Sequence, residues 1–190
     1  VQEEKALVRR ILYGDAEAFR KIIQAYGRLV NSVVSRMVLY EAEREDLSQE
    51  VFVKVYENLR HFRFECKMST WIARIAYNTC LNFLEKKRPS LLGDELPDGG
   101  GADALPAGGP LPDEVAHRRG VSMLLEREIA RLPVKHRVVL TLYHLLDMRY
   151  EEIGEALGLP PGTVKSHLFR ARAELHRRLA ASYSREELEA

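Results

Sequence analysis

Near the middle of the chain, the stretch "PSLLGDELPDGGGADALPAGGPLPDE" (residues 89–114) holds six glycines and five prolines in 26 positions. No helix persists through such a run, because proline removes backbone donors and glycine carries the largest entropy cost of ordering. No alternating apolar pattern marks a strand there either. The chain is cut into two pieces, and each must bury a core of its own. Residues 1–88 and 114–182 are therefore expected to form two small domains, with 89–113 a flexible linker and 183–190 a C-terminal tail.

Charge follows the same division. Residues 89–114 carry six acids and no base, whereas residues 1–88 carry 16 basic against 12 acidic side chains. Residues 115–190 carry 13 basic against 10 acidic, so a net charge of +1 hides two basic blocks around an acidic connector. Both blocks read as helix throughout. In "DAEAFRKIIQAYGRLVNSVVSRMV" apolar residues recur at three and four, and Asp15 stands where an N-cap belongs. About four helices fit each block, and the fold class is all-α.

Several function classes drop out. The chain has two cysteines, Cys66 and Cys80, with no CxxC pair or zinc-type His spacing, so no metal site is expected. No apolar run is long enough to span a bilayer, and "VQEEKALVRR" lacks the layout of a signal peptide. These features fit a reducing, cytoplasmic setting without membrane insertion. No nucleophile–base set or phosphate loop is evident, so neither catalytic residues nor a cofactor are expected.

In the C-terminal block, "YEEIGEALGLPP" is a short helix meeting a Gly-Leu-Pro-Pro turn, and "GTVKSHLFRARAEL" opens a second helix at about Gly162. This is a helix-turn-helix layout. Val164, Leu168, Ala171, Leu175 and Leu179 share one face of that helix and form its buried stripe. Ser166, Arg170 and Arg177 project from the opposite side, flanked by Lys165, Phe169 and Arg172. No acid follows Gly162 until Glu174, which suits a helix that presents its start to DNA. An arginine on this face can read a guanine edge, while Lys165 and Arg172 can equally hold phosphates.

The N-terminal block offers two further surfaces. In "EDLSQEVFVKVYENL", Leu47, Val51, Val55 and Leu59 form the buried stripe, and Asp46, Gln49, Glu50, Val53 and Glu57 lie opposite. An acidic arc with an apolar centre repels DNA and suits a protein partner, with Val53 as a desolvated contact. From Ser69 a second helix buries Ile72, Ala76, Cys80 and Phe83 and shows Trp71, Arg74, Ile75, Asn78 and Asn82. Trp71 either stacks on a splayed base or packs against a neighbouring helix.

Together "DAEAFRKII", "EDLSQEVFVKVYENL", "STWIARIAYNTCLNFL" and "YEEIGEALGLPPGTVKSHLFRAR" resemble an extracytoplasmic-function (ECF) sigma factor of bacterial RNA polymerase, in order and spacing, over nearly all of residues 10–180. The resemblance implies a sigma region 2-like helical bundle and a region 4-like helix-turn-helix domain. It implies that Asp46, Gln49, Glu50 and Val53 contact core RNA polymerase. Arg63, Lys67, Ser69, Thr70, Trp71, Arg74, Asn78 and Asn82 would take the melted −10 element. Lys165, Ser166, Phe169, Arg170 and Arg172 would read the duplex −35 element, and His167 departs from the basic residue expected there. A cognate anti-sigma partner is also implied. The residues alone leave a second reading open, a stand-alone helix-turn-helix regulator.

Overall fold

The computed structural model describes residues 2–38, 40–87 and 124–182, and every element in them is helical. The expected linker and tail lie outside the described residues. Helix α1 (Gln2–Leu12) turns into α2 (Ala16–Met37) at Asp15, whose Oδ1 accepts from the Ala18 backbone N–H at 3.0 Å. Arg10 holds the same carboxylate at 2.7 Å, so cap and ion pair fix the α1–α2 corner together. Helix α3 (Glu41–Asn58) ends in a 3₁₀ turn at Leu59–His61, and α4 (Met68–Lys87) follows.

α2, α3 and α4 pack on one another as a bundle. Ile22, Val30 and Val33 of α2 meet the expected stripe Leu47, Val51, Val55 and Leu59 and the α4 residues Ile72, Ala76 and Cys80, all of them buried. Each such aliphatic side chain contributes ~1.5–3 kcal/mol of burial, enough to sustain a small bundle. Phe83 is half-buried rather than core.

In the C-terminal block, the helix described over 124–130 (α5) is followed by α6 (Val134–His144), α7 (Tyr150–Leu157) and α8 (Pro161–Ser182). Val138, Val139, Leu142, Ile153, Ala156, Val164, Leu168 and Ala171 form the core between α6, α7 and α8. Leu175 and Leu179 are only half-buried. α8 is 22 residues long against 11 and 8 for its partners, so its distal half outruns what can cover it.

The two blocks also touch, which a tether pattern does not foretell. α2 lies against α6, and α4 against α7. Arg137 of α6 is buried and donates to the Arg36 carbonyl at 2.8 Å and to the Ala130 carbonyl. These carbonyls close the last turns of α2 and α5, where backbone acceptors lack helical partners. A guanidinium there satisfies two helix ends at once and complements their dipoles. Burial, then the neighbouring Arg36, pulls the Arg137 pKa down to about 10, which leaves it charged at neutral pH.

Candidate nucleic-acid and polymerase surfaces

The α7–α8 turn is built by two glycines and a proline. Gly158 closes α7 at φ 68°, a conformation that disfavours a side chain, and its N–H bonds the Gly154 carbonyl. A Cβ on Gly154 would lie 2.6 Å from the Leu159 carbonyl oxygen, so the turn can fold back only over glycine. Pro161 then supplies the first residue of α8, where its missing N–H costs nothing. This geometry turns Lys165, Ser166, Phe169, Arg170 and Arg172 outward, all exposed, while Val164, Leu168 and Ala171 point inward. Phe169 is 73% exposed, far from any core role. Ser166 Oγ donates to the Gly162 carbonyl at 2.9 Å and keeps its lone pairs for a partner. His167 is half-buried beside His136, with ring centroids 5.2 Å apart. Burial, then Lys135 and Arg170, lowers its pKa, so it is a neutral flank of the helix rather than part of its cationic edge.

α4 and the loop before it present a mixed surface. Arg63, Lys67, Asn78 and Asn82 are exposed, and Ser69, Trp71 and Arg74 are half-buried. Thr70 is fully buried, and its hydroxyl has no hydrogen-bond partner among the described residues, so it offers no surface to a ligand. Trp71 packs on Phe62 with centroids 5.0 Å apart, and Phe62 packs on Phe64. Trp71 thus has a packing partner just before α4 and stays half-buried, so part of its side chain remains accessible. Lys67 pairs with Glu152 of α7 at 2.5 Å. Arg74 donates to the Glu155 carbonyl at 3.0 Å and to its carboxylate at 3.1 Å. Arg74 and Asn78 line a cleft of about 650 Å³ with Glu151, Glu155 and Pro160. The α4 surface therefore faces α7. Cys66 sits beside it, and burial with the Glu155 contact pushes its thiol up to about 11, which keeps it protonated and poorly nucleophilic. Cys80 is core, pushed up to about 12 by burial.

On α3, Asp46, Gln49, Glu50, Val53 and Glu57 are exposed, and Glu50 pairs with Lys54 at 2.7 Å. Val53 is 55% exposed and borders a groove of about 930 Å³ between α3 and α2. Phe19, Ile23, Phe52 and Tyr56 supply its apolar lining, and Glu41, Arg44, Glu45 and Gln49 its charged and polar part. Phe19 and Ile23 are residues that the single-helix reading missed. The only local hint was the doubled "II" at Ile22–Ile23, where Ile22 is buried and Ile23 is left outside.

A helical bundle followed by a helix-turn-helix is the two-region plan of sigma-70-type factors. Residues 22–89 match Sigma-70 region 2, and residues 122–175 match Sigma-70, region 4. The chain is 32% identical over 181 residues to the ECF RNA polymerase sigma factor SigW of Bacillus subtilis, covering 92% of this chain and 96% of that one. It is 34% identical over 177 residues to the ECF RNA polymerase sigma-E factor of Escherichia coli K12, covering 89% and 90%. The chain belongs to the ECF RNA polymerase sigma factors. Two solved structures share the fold. CnrH in complex with the cytosolic domain of CnrY aligns with TM-score 0.67 at 21% identity, over 94% of this chain and 97% of that one. Sigma factor RpoE in complex with the anti-sigma factor NepR, from Bartonella quintana, aligns at 0.62 and 17% identity, over 88% and 100%. As a sigma factor the chain directs RNA polymerase to promoters for transcription initiation. Among the described residues, no helix is long and apolar enough to cross a membrane.

Proposed function

We propose the following division of labour. Residues 1–88 form the region that docks on core polymerase and takes the −10 element, 89–113 a linker, and 114–182 the region that reads the −35 element. Asp46, Gln49, Glu50 and Val53, with the α2–α3 groove beside them, form the polymerase-docking surface. Arg63, Lys67, Ser69, Trp71, Arg74, Asn78 and Asn82 form the strand-trapping surface. Thr70 supports that surface from beneath, since its side chain is buried. Lys165, Ser166, Phe169, Arg170 and Arg172 enter the major groove of the −35 duplex.

The carrying observation is the outer edge of α8. Five polar, cationic or aromatic residues stand exposed while Val164, Leu168 and Ala171 lock the opposite face into the domain. The protein catalyses nothing itself. It adds binding energy and placement to the polymerase, acts in the cytoplasm, and is held in check by an anti-sigma partner, a reading supported by the RpoE–NepR complex.

Run-off transcription from a genomic promoter library, with purified bacterial core polymerase, tests this reading. Transcripts that require the chain and share an upstream and a downstream motif are the expected result. Failure to stimulate, together with tight binding of the chain alone to palindromic duplex, would overturn it in favour of a stand-alone regulator.

A further inference from the structure

Arg172 is exposed, yet it is the most constrained of the five outward residues of α8. Its Nε–H and a terminal N–H both point at His144 Nε2, at 3.1 and 2.9 Å. Its guanidinium carbon lies 5.2 Å from the Tyr143 ring centroid. Tyr143 is itself stacked on Tyr150, with centroids 5.2 Å apart and planes 9° from parallel. The last two residues of α6 and the first of α7 thus form a platform and an acceptor for one side chain of α8. A free arginine on a helix surface would sample many rotamers, and ordering it on binding costs ~0.5–1.5 kcal/mol.

The acceptor role defines the histidine's state. Nε2 accepts only in the neutral ring with its proton on Nδ1. Protonation at Nε2 removes both bonds and places a cation about 3 Å from the guanidinium. The groups facing His144 are Arg172 from α8, Asp147 in the α6–α7 turn, and Tyr143 on its own helix with Tyr150 of α7 behind it. Burial first, and Arg172 next, lower its pKa, while Asp147 opposes them. The ring is therefore neutral at pH 7 and above.

We propose that His144 is a positioning residue for promoter binding: the neutral ring, with the Tyr143–Tyr150 stack, holds Arg172 so that its remaining N–H donors face a backbone phosphate of the upstream duplex. Protonated His144 releases Arg172. The inference rests on the reading that α8 meets the −35 duplex.

The test uses holoenzyme reconstituted from the full chain and core polymerase, on a promoter fragment recovered by the run-off selection. Affinity is measured from pH 7.5 to 5.5 for wild type, His144→Gln, His144→Ala and Arg172→Ala. The amide introduced by His144→Gln keeps a neutral acceptor at every pH, and effects of other histidines cancel in the ratio of the two proteins. The affinity of His144→Gln relative to wild type is expected to rise about threefold to tenfold on acidification. His144→Ala is expected to bind more weakly than wild type at pH 7.5 by a similar factor. In the Arg172→Ala background, the His144→Gln effect is expected to vanish. ¹⁵N-resolved histidine spectra of the full chain are expected to show the Nδ1–H tautomer for His144, and a higher pKa for it in Arg172→Ala.

If Arg172→Ala weakens binding but His144→Gln tracks wild type at every pH, the positioning role is wrong and the −35 reading stands. Tighter binding by wild type than by His144→Gln at pH 5.5 would make His144 a simple phosphate cation, which also overturns the proposal. If Arg172→Ala leaves promoter affinity unchanged, the contact assigned to Arg172 fails first, and the inference falls with it.

Discussion

Single residues decide the helix-turn-helix more sharply than composition suggests. Gly154 lies inside α7, where alanine would ordinarily favour the helix, but a Cβ there meets the Leu159 carbonyl at 2.6 Å. Gly154→Ala must push the turn away from α7, and the loss expected is about 1–3 kcal/mol by urea denaturation, in the range of an overpacked core. On α8, Lys165 and Arg170 are exposed but suited to different tasks. Arg170→Ala is expected to lose about 1–3 kcal/mol of promoter binding and to relax preference at one base pair. Lys165→Ala is expected to weaken binding across sequences and reduce the salt slope by about one, both read from affinity titrations at several salt concentrations. At this scale the sequence was legible where chemistry is local. Asp15 is the cap that its neighbours announced, accepting from Ala18 three residues on. The partner of Trp71 and the burial of Thr70 were not legible, because their surroundings come from elsewhere. Phe62 arrives from the preceding 3₁₀ turn, and the inward face at Thr70 is set by where α4 begins.

At the scale of elements, a periodic stripe tells which face of a helix is inside but not what stands beside its outer face. The stripe Leu47, Val51, Val55 and Leu59 was readable and is buried. The groove next to Val53 was not, since Phe19 and Ile23 reach it from a helix some 30 residues earlier in the chain. Its lining combines the apolar Phe19, Ile23, Phe52, Val53 and Tyr56 with the charged or polar Glu41, Arg44, Glu45 and Gln49, a composition that suits a protein contact with an apolar anchor. Placing a charge in the centre should therefore act on assembly and not on folding. Val53→Glu and Ile23→Glu are each expected to weaken association with core polymerase by at least about tenfold, as loss of a central anchor does. Val53 is 55% and Ile23 39% exposed, so the melting temperature should move little. Competition against an unmodified copy for limiting core polymerase, with parallel thermal melts, checks both halves. A fall in melting temperature matching the loss of assembly would make these residues structural.

For the whole molecule, the relevant fact is that α4, whose outer face is proposed to trap a strand, and α7, the first helix of the helix-turn-helix, face each other through unlike charges. Lys67 meets Glu152, and Arg74 meets Glu155, across 85 and 81 positions of chain. No local pattern can report pairs so far apart, and the Gly/Pro stretch between them reads as independence. Pairs open to solvent on at least one side, as these are, are worth ~0–1 kcal/mol each and are screened by salt. They can bias the two blocks together without holding them against a partner as large as polymerase. Burial by itself would raise the Glu152 pKa, but the Lys67 contact, the Arg149 N–H and nearby cations bring it below the usual 4.5. A carboxyl with a depressed folded pKa stabilises the docked arrangement above its ordinary value and loses that contribution as pH falls through the depressed one. Docking should thus be insensitive to pH from about 5 upward and weaken in stronger acid. Small-angle scattering of the full chain is expected to show a larger radius of gyration for Glu152→Lys/Glu155→Arg than for wild type at low salt, and the two should converge at high salt. Adding Lys67→Glu/Arg74→Glu to that double variant swaps the charges and is expected to restore the compact value. An unchanged radius on reversal would mean that the apolar and Arg137 contacts between α2 and α6 hold the blocks by themselves. In that case polymerase would have to separate the α2–α6 interface before the proposed strand-trapping face of α4 became accessible.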